Sequence, residues 1–166
     1  MAKKEFGDRR ECAIDSTPAV QIAGGVPPSD RADNERPRIL VVDDIRDAAD
    51  SLQMVLSDLG YEALVAYEGE TALKLFEAGD FTVVLLDLAM PGMDGFEVAQ
   101  RMRKSSAACP TIIAVTGWGD LRTKIRARSA GIACCLVKPV EIAKLQRWLE
   151  IFTEAVTTRS RTKAPA

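Results

Sequence analysis

Five polar residues directly follow apolar runs that are typical of buried strands. Asp43 and Asp44 come after RILVV, and Asp87 comes after TVVLL. Thr116 follows TIIAV, and Lys138 follows ACCLV. If these runs are parallel strands of one open sheet, their carboxyl ends lie along one edge, where such sheets bind ligands. The pattern therefore predicts one site with three carboxylates, a hydroxyl and an ammonium group.

Carboxylates that crowd together repel each other, and their pKa values rise unless a cation neutralises them. The chain has no histidine and no CxxC pair, so a zinc site is disfavoured. An all-oxygen site of this kind suits Mg²⁺ instead. An aspartate beside such a metal can attack phosphorus and form an aspartyl phosphate. Lys138 and Thr116 could each contact a phosphoryl oxygen, so that positioning and electrostatics supply the catalysis.

Most of these residues also have a simpler explanation when each is taken alone. Asp44 could cap the helix that follows the first strand. Thr116 could be a turn residue, and Lys138 could be a solvated loop charge. Asp87 is harder to explain in this way, because three crowded acids need a reason to be together.

The apolar runs alternate with amphipathic segments along the chain. Strands are predicted over residues 38–42, 62–66, 82–86, 111–115 and 133–137. Helices are predicted over residues 45–59, 69–78, 94–103, 119–129 and 141–156. This alternation with short connections predicts a (βα)5 unit whose parallel sheet carries helices on both faces.

Glycines mark several of the connections. Gly60, Gly79 and Gly131 fall just after predicted helices, where a left-handed cap favours glycine. Gly92 and Gly95 lie in the AMPGMDG loop after Asp87 and predict unusual backbone angles there.

Composition divides the chain into three parts. Residues 1–37 mix both charge signs with Pro and Gly, which predicts a disordered or flexible extension. Residues 38–156 form the predicted globular domain, and 157–166 a short flexible tail. No apolar run approaches the roughly 20 residues that span a membrane, and no secretory signal is present at the N-terminus. We therefore expect a cytoplasmic protein with reduced cysteines, and its net charge of −2 disfavours a general nucleic-acid binder.

Four short motifs, in this order, carry a resemblance to a known family. They are DD at 43–44, LLDLAMPGMDG around Asp87, TGWG at 116–119 and KP at 138–139. Together they resemble the receiver domain of two-component response regulators, over roughly residues 38–156. The resemblance implies a flavodoxin-like (βα)5 fold, a doubly wound five-stranded parallel sheet with strand order 2-1-3-4-5.

The resemblance also implies a role for each site residue. Asp87 would accept a phosphoryl group from a phosphohistidine, and Asp43, Asp44, Asp87 and the backbone carbonyl of Ala89 would hold Mg²⁺. Lys138 would contact the phosphoryl group and precede a cis peptide bond. Thr116 would move toward the phosphoryl oxygen and couple the site to the surface of the fourth helix.

One position departs from the family pattern. Three residues before the lysine, receivers often carry a tyrosine or phenylalanine that swings inward on activation, and here Cys135 stands there. The usual route of propagation through the fourth helix is therefore in question. Ala89 and Trp118 occupy positions that flank the phosphoryl group in the family, and TGWG is similar to receivers attached to hybrid sensor kinases.

The leading hypothesis is a stand-alone receiver that catalyses only its own phosphorylation and dephosphorylation. It would signal by binding another protein, or relay phosphate from a sensor histidine kinase or a phosphotransfer protein. A DNA-binding output domain and a membrane partner are not expected. The alternatives are a degenerate receiver that acts as a phosphate-independent interaction module and, less favoured, a metal-dependent phosphatase or nucleotide-binding enzyme. The basic fourth helix is either a solvated face or a docking surface for an acidic partner.

Overall fold

The computed structural model describes residues 37–105 and 110–162, with side chains described as far as Thr153. The predicted extension at 1–37, apart from its last residue, and the end of the predicted tail lie outside these residues. The strands are β1 (Arg38–Val42), β2 (Glu62–Ala66), β3 (Val83–Leu86), β4 (Thr111–Thr116) and β5 (Cys134–Val137). The helices are α1 (Arg46–Asp58), α2 (Gly69–Ala78), α3 (Gly95–Ser105), α4 (Leu121–Ser129) and α5 (Ile142–Thr162).

The five strands form one sheet in the order β2-β1-β3-β4-β5, and every pair is parallel. The predicted fold and strand order are therefore confirmed. The order reverses between β1 and β3, because the chain moves outward to β2 first and then returns past β1. A crevice opens at the carboxyl ends of the strands at such a reversal.

The sheet separates two apolar cores. The first core lies between the sheet and helices α2, α3 and α4, and the second lies between the sheet and helices α1 and α5. Strands β1, β3 and β4 supply fully buried side chains to both cores, because alternate residues of a strand point to opposite faces. This two-sided burial explains why these strands read as continuous apolar runs.

The neighbouring cysteines of β5 follow the same rule. Cys134 packs against the second core, beside helices α1 and α5, and Cys135 packs against the first core, beside helices α2, α3 and α4. The two side chains therefore face opposite ways, as neighbouring residues of a strand do.

Two details at the ends of helices differ from the sequence analysis. Gly79 has φ −144°, an extended conformation, so the predicted left-handed cap after α2 is wrong. The glycine instead leaves room for two neighbouring side chains, since a Cβ on Gly79 would lie 3.3 Å from the Arg38 guanidinium and from the Phe81 ring. Helix α5 continues past residue 156 to Thr162, and the helix therefore includes much of the predicted tail.

Gly60 and Gly131 do adopt the predicted left-handed conformation, with φ +89° and +84°. For Gly60→Ala we expect the free energy of unfolding to fall by about 1 kcal/mol, because an L side chain is strained at this φ. No atom lies within 4 Å of the added Cβ, so the loss reports backbone strain alone. Gly117→Ala is the matched control, since its Cβ also meets open space and its φ lies outside the left-handed region. Equal urea midpoints for the two variants would contradict this assignment.

Candidate functional site

The polar residues predicted from the sequence meet at the carboxyl edge of the sheet. Backbone hydrogen bonds continue the ladder one residue beyond the paired strands: the amide of Asp87 donates to the carbonyl of Val42 at 2.8 Å. The amide of Lys138 donates to the carbonyl of Thr116 at 2.9 Å. The sheet register therefore fixes the backbone positions of the site residues at the ends of β1, β3, β4 and β5. It does so independently of the contacts between their side chains.

Three carboxylates form the centre of the site. One oxygen from each of Asp43, Asp44 and Asp87 lies within 4.8 Å of the other two. Asp43 and Asp87 are only 4% and 5% exposed, whereas Asp44 is half-buried. The predicted acidic set is thus brought together, and its third member is less buried than the other two.

Backbone amides and one ammonium group satisfy the two buried carboxylates. The Oδ1 of Asp43 accepts a hydrogen bond from the amide of Ile45 at 3.0 Å, and the Oδ1 of Asp87 accepts one from the amide of Ala89 at 3.0 Å. The Lys138 Nζ donates to the Oδ2 of Asp43 at 2.7 Å and to the Oδ2 of Asp87 at 2.6 Å. Lys138 is therefore part of the site rather than a solvated loop charge.

Lys138 remains protonated at neutral pH. Burial by itself lowers the pKa of its ammonium group, but hydrogen bonds to Asp43 and Asp87 outweigh this cost and raise the pKa above its usual value. One positive charge still faces three carboxylates. The remaining negative charge and the all-oxygen donors suit a divalent hard cation such as Mg²⁺, held by Asp43, Asp44 and Asp87. The expected contribution of the Ala89 carbonyl stays a prediction.

The contacts test the simpler explanations for Asp44, as a helix cap, and for Thr116, as a turn residue. Ile45, not Asp44, occupies the N-cap position of α1, so the proposed capping role for Asp44 is wrong. The turn role of Thr116 is correct, since its Oγ1 accepts a hydrogen bond from the amide of Trp118 at 3.2 Å. That contact uses a lone pair of the hydroxyl oxygen, so the fully buried Thr116 can still donate its hydrogen.

The loop after Asp87 depends on Gly95 for space. A Cβ on Gly95 would collide with the carbonyl oxygen of Asp87 and lie 2.8 Å from the Cα of Leu88. The unusual backbone angle that the sequence predicts is present at Gly92, with φ +76°, but not at Gly95. Gly95 is required because α3 begins directly against the backbone of the Asp87 segment.

One further residue beside the site, Asp94, was missed by the sequence analysis, and Arg126 was considered only as part of the basic fourth helix. Asp94 accepts the amide of Glu97 at 2.8 Å through Oδ1 and the Arg126 Nη2 at 2.8 Å through Oδ2. The capping role could have been found, because an Asp followed three residues later by a Glu, as Asp94 is by Glu97, is a helix start signal. The pairing with Arg126 of α4 had no signal in the sequence, since the two residues are distant along the chain.

Burial differs among the residues at three positions noted for the family, Cys135, Trp118 and Ala89. Cys135 is half-buried against the α2–α4 core, so no aromatic side chain is available at that position. Trp118 is 57% exposed, and Ala89 is exposed at the start of the loop. The Lys138–Pro139 peptide bond is cis, as the resemblance implied.

A family model described as a response regulator receiver domain matches residues 39–150. The chain belongs to the receiver domain family. Of the relatives of this receiver, the sensor histidine kinase RcsC of Escherichia coli K12 is 35% identical over 136 residues, which are 81% of this chain and 14% of the kinase. The probable transcriptional regulator ycf27 of Cyanophora paradoxa is 38% identical over 66% of this chain and 45% of that protein. The receiver therefore spans only a part of these relatives.

Several solved structures of similar proteins are matched over nearly their whole length. The chemotaxis protein CheY4 of Vibrio cholerae is 28% identical with a TM-score of 0.66, and covers 70% of this chain and 98% of that one. The response regulator TrrA of Thermotoga maritima, solved in complex with Mg²⁺ and BeF, is 34% identical with a TM-score of 0.64 and the same coverage. Within the described residues of the receiver, no helix is long and apolar enough to cross a membrane.

The ammonium group of Lys138 occupies two of the three carboxylates that would hold a divalent cation, Asp43 and Asp87. For Lys138→Met we expect Mg²⁺ to bind on the order of tenfold more tightly, since a positive charge 2.6–2.7 Å from two of the ligands is removed. Isothermal titration with MgCl2 measures this change. Lys144→Met, a charge loss on the exposed surface of α5, is the control. Weaker Mg²⁺ binding by Lys138→Met than by this control would mean that the lysine supports the cation rather than competes with it.

Proposed function

We propose that this receiver accepts a phosphoryl group on Asp87 from a phosphohistidine of a sensor histidine kinase or phosphotransfer protein, in a Mg²⁺-dependent reaction. One observation carries the proposal. Lys138 bridges the buried carboxylates of Asp43 and Asp87 through the 2.6–2.7 Å contacts given above, beside the half-buried Asp44. A structural ion pair needs only one acid. Two buried acids with a third beside them cost stability, and clusters of this kind are typical of functional sites.

Each side chain then has a defined part in the transfer. A carboxylate oxygen of Asp87 attacks phosphorus, the new O–P bond forms as the P–N bond to the donor imidazole breaks, and the imidazole keeps the electron pair. Mg²⁺ held by Asp43, Asp44 and Asp87 would neutralise charge on the phosphoryl oxygens. Lys138 turns from the carboxylates to a phosphoryl oxygen, and the Thr116 hydroxyl donates to another.

The output of this reaction is a contact with another protein or transfer of the phosphoryl group along a relay. We propose that the receiver acts as a cytoplasmic regulator, and that it turns over no substrate other than its own aspartyl phosphate. The similarity to receivers of hybrid sensor kinases supports the relay. In each case the chemistry at Asp87 is the same, and only the recipient of the signal differs.

A second function is favoured by one residue. Because Cys135 supplies no aromatic side chain beside the site, the receiver could serve as an interaction module whose binding does not depend on phosphate. Intact chemistry at Asp43, Asp87, Thr116 and Lys138 speaks against this function, since a module of that kind does not need them.

Asp87→Asn tests the proposal directly. We expect wild-type protein incubated with Mg²⁺ and acetyl phosphate to form an acid-stable, base-labile phosphoprotein, detected as a mass increase, and Asp87→Asn to form none. EDTA should abolish labelling of the wild type, because the carboxylate cluster then lacks its divalent cation.

Asp80→Asn is the matched control for this experiment. Asp80 is an exposed acid that precedes β3, so it lies at the opposite end of the strand from Asp87. The control should be labelled as the wild type is. Absence of label on the wild type, or equal label on Asp87→Asn, would overturn the proposal and leave the phosphate-independent module as the remaining function.

A further inference from the structure

Helix α4 is held to the rest of the receiver by very little apolar burial. Its buried side chains are Thr123 and Ala127, which are both small. Its larger apolar side chains, Leu121 and Ile125, are 68% and 59% exposed. Burial of large side chains supplies most of the packing energy of a helix. Polar contacts therefore supply an unusually large share of the energy that holds α4 in place.

Three polar contacts hold α4, one within its first turn and two to other elements. At its start, Asp120 caps the helix by accepting the amide of Thr123 at 2.9 Å. This cap lies two residues after Trp118, whose amide is bonded to Thr116 at 3.2 Å. Just beyond its end, the carbonyl of Gly131 accepts from the Nε and Nη2 of Arg103 of α3 at 3.1 and 2.7 Å. The first turn of α4 is therefore linked to the site, and its end is linked to α3.

The third attachment connects α4 with the loop that carries Asp87. The Nη2 of Arg126 donates to the Oδ2 of Asp94 at 2.8 Å, and its guanidinium carbon lies 3.9 Å from the centre of the Phe96 ring. Phe96 is almost fully buried, so it forms a fixed base for the guanidinium group. Asp94 is fixed as well, because its other oxygen caps α3 and Gly95 packs directly against the carbonyl of Asp87.

We propose that Arg126, Asp94 and Phe96 form a latch that holds α4 in its resting position and so opposes occupation of the phosphoryl site. The proposal rests on the proposed function. When Thr116 turns to donate to a phosphoryl oxygen, the segment from Trp118 to Asp120 follows it and draws the first turn of α4. Arg103 holds the far end of the helix, so the helix pivots. This movement stretches the Arg126–Asp94 pair, because Asp94 does not move with it.

The latch couples occupation of Asp87 to the position of α4. This coupling does not need an aromatic residue at position 135. Coupling between two sites is reciprocal, so a contact that occupation of Asp87 must break also lowers the affinity for the group that occupies it. Removing the latch should therefore tighten binding at Asp87 even though it removes a stabilising contact. A purely structural ion pair would lower stability and leave the affinity unchanged.

Beryllofluoride with saturating Mg²⁺, titrated into the full chain, serves as the probe of the phosphoryl position. For Arg126→Gln we expect a Kd for beryllofluoride about two- to fivefold lower than that of the wild type, the range that corresponds to an exposed ion pair. The fluorescence of Trp118 and Trp148 reports the titration. Hydrogen exchange of the α4 amides should be faster in the variant before the addition of beryllofluoride, and should change less on addition.

Two further variants make the test specific. Asp94→Asn keeps an oxygen that caps α3, since Asn is as good an N-cap as Asp, but loses the charge that holds Arg126. It should reproduce the effect of Arg126→Gln, and the double variant should add nothing further. Arg128→Gln removes the same charge from the same last turn of α4 and should bind beryllofluoride as the wild type does.

The possible outcomes separate the two proposals. If the wild type does not bind beryllofluoride at all, the proposed function fails and the latch fails with it. If the wild type binds it, but Arg126→Gln and Asp94→Asn match Arg128→Gln or bind more weakly, the latch alone is overturned. Tighter binding in both variants, together with altered exchange in α4, supports it.

Discussion

Mutual repulsion among three carboxylates at one edge of the sheet is the constraint on which the rest of the receiver depends. Asp43 and Asp87 are nearly inaccessible to solvent, so water cannot screen their charges from each other. Lys138 and two backbone amides lower this cost, and the cost falls further whenever a divalent cation binds. The negative charge that remains at the site therefore favours the binding of a divalent cation.

The sheet makes this arrangement possible because it fixes the backbone at the site more strongly than the side chains repel. Strands β1 and β3 are neighbours at the centre of the sheet, paired on both sides and buried on both faces. Their apolar packing continues to the residue before each acid, and their backbone hydrogen bonds continue to the amides of Asp43 and Asp87. The backbone atoms of Asp43 and Asp87 therefore cannot separate without disrupting the central pair of strands.

The loop after Asp87 extends the rigid part of the fold to α3, but not to α4. Gly95 lets α3 begin directly against the backbone of Asp87, and Asp94 caps the helix while it pairs with Arg126. Helix α4 is the opposite case, with small buried residues and exposed large ones. A rigid α3 beside a loosely packed α4 is an arrangement in which a small change at the site would be expressed mainly in α4.

Much of this was determined by the sequence itself. Apolar runs, each ending at a polar residue, specify both the strands and the edge where Asp43, Asp44, Asp87, Thr116 and Lys138 meet, because strand periodicity and parallel topology are local and repetitive rules. Only the tertiary structure decided the details that depend on a distant neighbour. It showed that Gly79 is extended, that Gly95 is required by the carbonyl of Asp87, and that Arg126 reaches Asp94. A residue's own sequence context sets its backbone preference, whereas the space and charge beside it come from chain segments that only folding brings near.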